Sequence, residues 1–167
     1  MLPPRALLTD LYMLTMDAAY LDNEKADDLT SFEMFIRSLP KHWGYFIAAG
    51  IDEALEHICN MKYTEEDMEY LKETGLFKPE YLEFLYDYKF EGDIHAVREG
   101  IPFTAETPII RVTAKRSQAQ MVEPILLNIV NFQTMIASKA SRIVNAAGNA
   151  EVIDFGLRRA HGGEAGA

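Results

Sequence analysis

The chain closes on a short apolar run, Val152-Ile-Asp-Phe155, set behind its longest helical stretch and running directly into Gly156-Leu-Arg-Arg-Ala-His161. A strand reached from a helix in this way is the unit of a parallel βα arrangement, whose strands are buried on both faces. One such strand is not expected to be stable by itself. The fold is therefore read as a self-sufficient α+β part followed by the first strand of something larger. The glycine-rich ending, Gly162-Gly-Glu-Ala-Gly-Ala167, reads as the middle of a protein rather than its natural terminus.

A length of 167 residues allows one domain, or one domain and the beginning of another. Hydrophobic residues make up 49% and charged residues 25%, which supplies a core and argues for folded, soluble material. The net charge of -10 argues against general affinity for nucleic acid or an anionic membrane. Much of the acidity lies in residues 65–73 and 80–93, read as solvated helix faces rather than as metal sites. Cys59 is the single cysteine, so there is no internal disulfide, and a reducing compartment fits. His57 and Asn60 beside it have no metal-ligand spacing, and a buried thiol is expected. Neither a signal segment nor an apolar run of membrane-spanning length is present, which makes a cytoplasmic location the expectation.

Helical spacing of Leu11, Leu14, Ala18 and Leu21 predicts a helix over 9–22, capped by Thr9 or Asp10. Residues 30–38 alternate as a strand that Pro40 ends, and the apolar 45–50 leads through Gly50 into a helix over 52–61. Thr64-Glu-Glu-Asp67 opens another helix ending near Gly75, and 79–86 makes a third. From Gly92 the pattern turns to β: 93–97, a turn at Glu99-Gly100, a short 102–104 piece, and 107–113. Residues 117–147 are helical, with a break expected near Pro124 and a stop at Gly148. The expected organisation is an N-terminal α+β domain over 1–116, a helical connection over 117–150, and a strand with its loop over 151–167.

Arg158 and Arg159 are the strongest local candidates for an anion site, because guanidinium forks suit phosphate or carboxylate and α/β folds place ligands at strand carboxyl ends. Spacing alone slightly favours the alternative, two surface arginines balancing acidic helices. His161 beside them suits a hydrogen-bonding or general-base role, or simple exposure to solvent. Tyr12, near a helix start, can stack on a flat ring, or it can be a core tyrosine. Lys139 and Arg142, three apart on a helix, extend a basic wall towards a phosphate or form a solvated face. The sequence contains no P-loop, dinucleotide fingerprint, cysteine cluster or nucleophile elbow.

In order along the chain, several stretches resemble nicotinate phosphoribosyltransferase. They are Leu8-Thr-Asp-Leu-Tyr-Met-Leu-Thr-Met16, Phe32-Glu-Met-Phe-Ile-Arg-Ser-Leu-Pro40, Gly44-Tyr-Phe-Ile-Ala-Ala-Gly50 and Glu106-Thr-Pro-Ile-Ile-Arg-Val112. Leu127-Asn-Ile-Val-Asn-Phe-Gln-Thr134, Lys139-Ala-Ser-Arg142, Ala146-Ala-Gly148 and Asp154-Phe-Gly-Leu-Arg-Arg-Ala160 continue the match. Departures are Met13 and His161, at positions where the family more often has glutamine.

The resemblance implies a sandwich domain leading into the first strand of an irregular (β/α) barrel that is incomplete here. It also implies a reaction, nicotinate plus phosphoribosyl pyrophosphate giving nicotinate mononucleotide and pyrophosphate, with ATP and Mg²⁺ expected for the complete enzyme. In that family Tyr12 matches the aromatic that stacks on nicotinate, and Arg158 and Arg159 match the arginine pair near the phosphates. Dimers build each site from both subunits. The family's phosphorylatable histidine and glycine-rich phosphate loop would lie beyond Ala167, so no catalytic residue and no metal ligand is named in this chain, and a second chain completing the barrel is a further possible partner. A quinolinate-type transferase and a non-catalytic fragment that binds or dimerises are the alternatives.

Overall fold

The computed structural model describes residues 6–162 and residue 165. The first helix, α1 (Leu11–Asp22), starts behind Asp10 in extended conformation and turns Met13, Leu14 and Asp17 inward. Strand β1 (Leu29–Met34) is shorter than the expected 30–38. Beyond Met34 the regular ladder gives way to isolated ties: Ile109 N–H donates to Met34 O at 2.9 Å and Glu106 N–H to Ile36 O at 2.8 Å.

Strand β2 (Phe46–Ile47) passes through Gly50 into α2 (Ile51–Asn60). Gly50 has φ +83, and a Cβ there would lie 3.0 Å from both Ile129 O and Gln133 Cβ, so the turn and the close approach both require glycine. Helix α3 (Glu65–Glu73) opens on a reciprocal cap. Thr64 Oγ1 accepts the Asp67 N–H at 3.2 Å, and the Asp67 carboxylate accepts the Thr64 N–H at 2.8 Å. Helix α4 (Pro79–Tyr86) has its proline in the first turn, where a missing N–H leaves no helical bond unmade.

Strands β3 (Asp93–Ala96), β4 (Pro102–Phe103) and β5 (Ile110–Lys115) follow. β5 buries Ile110, Val112 and Ala114 and turns Arg111 and Lys115 outward, the alternation of a strand with one face on the core. It is the centre of a three-stranded antiparallel sheet, β1-β5-β3, in which Val112 lies opposite both Phe32 and Ile94. β2 and β4 form a separate antiparallel ribbon, with the stacked rings of Phe46 and Phe103 5.8 Å apart.

Helix α5 (Arg116–Met121) and helix α6 (Glu123–Ala147) are separated at Val122, which places Pro124 in a first turn as the sequence leads one to expect. Gly148, at φ +59, ends α6. α5 lies between α1 and the sheet, whereas α2 and β2 pack on α6. The α3–α4 unit closes on the other helices through two tyrosines: Tyr81 OH donates to Asp17 Oδ2 at 3.0 Å, and Tyr88 OH to Gln118 O at 3.4 Å. One apolar cluster runs from Ala6 to Val130 and joins these layers.

Residues 45–49 divide their backbone groups between two neighbours. Ala48 donates to Ile101 O at 3.0 Å and accepts from Gly100 N–H at 2.8 Å, on the β4 side. On the other side, Ile47 N–H donates to Ser138 Oγ at 2.7 Å, and Ala49 exchanges bonds of 3.3 and 3.1 Å with Thr134 Oγ1. Arg142 donates to Tyr45 O.

Two expectations are corrected. Residues 152–155 form no strand: they are exposed, and Leu157–Arg159 makes a single 3₁₀ turn. Among the described residues nothing pairs with this run, and an apolar strand without ladder partners has no reason to form. Cys59 is exposed rather than buried. α2 buries Ile51, Ala54 and Ile58, and the residue after Ile58 turns about 100° away from that face. Of the terminal loop expected over 151–167, Gly163, Glu164, Gly166 and Ala167 lie outside the described residues, as do residues 1–5.

Candidate functional site

The start of α1 and the first turns of α6 enclose a cleft of about 430 Å³. Leu8, Thr9, Asp10, Tyr12 and Met13 line one side, and Glu123, Pro124, Leu127, Asn128 and Asn131 the other. Tyr12 reaches it because Met13, Leu14 and Asp17 take the inner face of α1, which leaves Leu11, Tyr12 and Met16 outside. At 55% exposure Tyr12 is not a core tyrosine, and its ring is free to meet a ligand. A second cavity of about 310 Å³ shares Leu127 and Asn131 with the first and is otherwise largely apolar, with Met34, Phe35 and Ile36 in its wall.

Among the described residues, the charged side chains lining the cleft are the carboxylates of Asp10 and Glu123, with no lysine, arginine or histidine. Thr9 Oγ1, also in the lining, is buried without a hydrogen-bond partner. The described lining therefore offers an aromatic face and neutral amides to a flat ring, and its carboxylates repel an anion. Sequence reasoning did not single out Glu123, Asn128 or Asn131. Their signal is the i, i+3 spacing of Asn128 and Asn131 just behind a proline that opens a helix.

The cationic candidates stand elsewhere. Arg158 and Arg159 are exposed on the 3₁₀ turn, and His161 is exposed just after it. α6 carries the chain about 24 Å from Asn131 to Ala147 before that segment begins. Lys139 is exposed on α6 and lies outside the cleft lining. Arg142 differs from the free basic group that its spacing suggests. Its guanidinium lies over the rings of Trp43 and Tyr45, at 3.9 and 4.4 Å, and donates to the carbonyls of Tyr45 and Ser138. It fastens the 43–45 segment to α6. Among the described residues no three His, Cys, Asp or Glu side chains gather into a metal-binding cluster.

Residues 7–131 match the family profile described as the nicotinate phosphoribosyltransferase (NAPRTase) N-terminal domain. A nicotinate phosphoribosyltransferase of Mycobacterium tuberculosis is 40% identical over 160 residues, covering 96% of this chain and 34% of that protein. The Bacillus subtilis nicotinate phosphoribosyltransferase is 38% identical over 156 residues, covering 93% of this chain and 32% of its own length. The crystal structure of the human nicotinic acid phosphoribosyltransferase superposes with a TM-score of 0.84 at 29% identity, over 93% of this chain and 32% of that one. The chain thus spans about a third of the length of these relatives. With its profile match over most of the sequence, its relatives at 38–40% identity and the α+β arrangement it shares with the human protein, the chain belongs to the nicotinate phosphoribosyltransferase family and carries that family's N-terminal domain.

Proposed function

We propose that this chain supplies the ring-binding part of a nicotinate phosphoribosyltransferase, acting in salvage synthesis of NAD. The pyridine nitrogen of nicotinate attacks the anomeric carbon of phosphoribosyl pyrophosphate. The bond to pyrophosphate breaks, and nicotinate mononucleotide forms. Tyr12 stacks on the pyridine ring; Arg158 and Arg159 hold the anionic groups and stabilise the departing pyrophosphate. His161 hydrogen-bonds beside them, and Lys139 extends the basic wall. ATP and Mg²⁺ serve the complete enzyme. Among the described residues no three His, Cys, Asp or Glu side chains gather to hold the metal.

One observation carries the arrangement: among the described residues, the cleft that presents Tyr12 is lined by carboxylates and by no cation. Nicotinate is an anion, and on this reading its carboxylate is met by charges brought from outside this cleft. The arginine turn that follows the far end of α6 suits that role when it belongs to a second copy. The site is then built from two subunits of a homodimer, Tyr12 from one and the arginines from the other. On this reading residues 1–116 are the N-terminal domain, 117–150 the connection, and 151–167 the entry to a (β/α) barrel, in a protein of the cytoplasm.

The test is turnover of nicotinate and phosphoribosyl pyrophosphate, with ATP and Mg²⁺, by the protein that carries these residues. Tyr12→Ala should raise the KM for nicotinate up to about tenfold, and Arg158→Ala should cut the use of phosphoribosyl pyrophosphate about tenfold or more. Mixed and allowed to exchange subunits, the two variants should recover activity towards about a quarter of the intact sites, as expected for random pairing in a two-fold dimer. No recovery on mixing, with subunit exchange demonstrated, places both residues in one subunit's site and overturns the shared arrangement.

A further inference from the structure

Asp17 is the only Asp, Glu, Lys, Arg or His that is buried among the described residues, with no exposed surface at all. Its Oδ2 accepts the Tyr81 hydroxyl at 3.0 Å, while its Oδ1 has no partner. Every surrounding element presents a neutral group. Tyr63 comes from the segment between α2 and α3, Tyr81 from α4, Tyr88 from just behind α4, and Ser117 and Gln120 from α5. Burial pushes all three phenols above their ordinary range, so they remain un-ionised; Asp67 adds its charge on the Tyr63 side.

Among the described residues no cation answers this carboxyl. The described ion pairs do not include Asp17, and Arg116, next to Ser117 in sequence, is turned to Asp28 at 3.1 Å and over the Tyr20 ring at 5.3 Å. Gln120 directs its amide to Met13 Sδ at 3.7 Å. Ser117 Oγ, buried and without a fully formed hydrogen bond, lies beside the carboxyl; its hydroxyl and that of Tyr81 favour the ionised form, but less than burial disfavours it. A carboxylate here has only the hydroxyls of Tyr81 and Ser117 to draw on, too little to offset the loss of water around a buried charge. A carboxylic acid keeps the Tyr81 bond and adds an O–H of its own, which the serine oxygen can accept.

We propose that Asp17 is held as the neutral acid and that its proton is the clasp fastening α1 to α4 and α5. Asp17 does not line the cleft; it is a positioning residue that fixes which face of α1 looks outward. Its effect on ligand binding rests on the role assigned above to Tyr12, whereas the clasp itself does not. Burial raises the proton affinity of this carboxyl in the folded chain above that of a free aspartate, ~3.9. Its contribution to stability is therefore complete below the unfolded value and is lost as pH rises through the folded one. Across that window the unfolding constant should grow by up to about tenfold per pH unit through this group alone.

The test compares denaturant unfolding of the full chain and of Asp17→Asn across pH, together with the carboxyl-carbon NMR titration of Asp17 in the unsubstituted chain. Asparagine keeps a donor and carries no charge, so the variant should lose this share of the pH dependence and gain on the parent as pH rises. An Asp17 signal titrating well above an ordinary aspartate supports the clasp even where the variant fails to fold. A signal titrating near ~3.9, or unfolding curves whose pH dependence is parallel, overturns it. In the assay for turnover, Asp17→Asn should hold a KM for nicotinate that does not rise with pH, while Asp17→Ala raises it at every pH. If Tyr12→Ala leaves turnover intact while Asp17 still titrates high, the role of Tyr12 fails and the clasp stands.

Discussion

The Ser138 hydroxyl accepts the backbone N–H of Ile47 at 2.7 Å, and one turn earlier Thr134 makes the same kind of contact with Ala49. Both side chains are fully buried. Ser138→Ala removes the acceptor and leaves a buried amide unpaired, at a cost of about 1–3 kcal/mol. Urea unfolding should show a lower midpoint with an unchanged slope. Ser138→Thr, which keeps the hydroxyl, should recover part of the loss.

Gly50 tests the other side of the same packing. Gly50→Ala forces a Cβ into the left-handed region and to 3.0 Å from Ile129 O. The conformational cost alone is about 1–2 kcal/mol. Thermal unfolding should fall by more than this predicts, because the neighbour in contact is helix backbone. Gly100→Ala, at φ +81 with open space around it, should lose the conformational part only.

Arg142 is expected to resist conservative exchange. Its planar guanidinium both stacks on Trp43 and reaches two carbonyls, a geometry that an ammonium does not reproduce. Arg142→Lys should destabilise nearly as much as Arg142→Ala, by about 1–3 kcal/mol. Quenching or a spectral shift of the single Trp43 reports the lost stack directly.

Tyr12 should separate binding from folding. It is over half exposed, so Tyr12→Ala should leave stability within about 0.5 kcal/mol. Loss of a stacked aromatic pair is worth roughly 0.5–1.5 kcal/mol, which appears as a rise in KM for nicotinate of up to about tenfold. Tyr12→Phe should remain close to the parent in both measurements.

Arg158→Ala follows the same logic with a different substrate. The residue is exposed, and its removal should not move the unfolding midpoint. Use of phosphoribosyl pyrophosphate should fall by 10-fold or more, about 1.4 kcal/mol, with the KM for nicotinate less affected. Unchanged kinetics would remove Arg158 from the site.

What could be read from the sequence was whatever local chemistry decides. The Thr64–Asp67 cap, the proline openings of α4 and α6 and the glycine stops are short-range signals, and they appear where the residues place them. The contacts of Thr134 and Ser138 were not legible, because a small polar residue on a helix looks alike whether it faces water or an amide from residue 47 or 49. Asp17 was hidden for a related reason: its neighbours arrive from residues 63, 81, 88 and 117. Cys59 was misread because its neighbour in sequence, Ile58, is the one that packs inward. The run at 152–155 has the pattern of a buried strand, yet pattern cannot supply the partners that a strand requires. Tyr12 could be placed on α1 but not on a cleft, since the opposite wall comes from α6.

The bonds from α6 to residues 45–49 also protect the chain from its own kind. A two-stranded ribbon has two open margins, and each is a template on which a foreign strand can grow. Here the margin of β2 away from β4 has its amides already occupied by hydroxyls held on a rigid helix. A helix cannot be extended sideways into a sheet. Growth of fibril-like pairing from this margin would first require α6 to peel away, which ties resistance to aggregation to the firmness of one helix's seat.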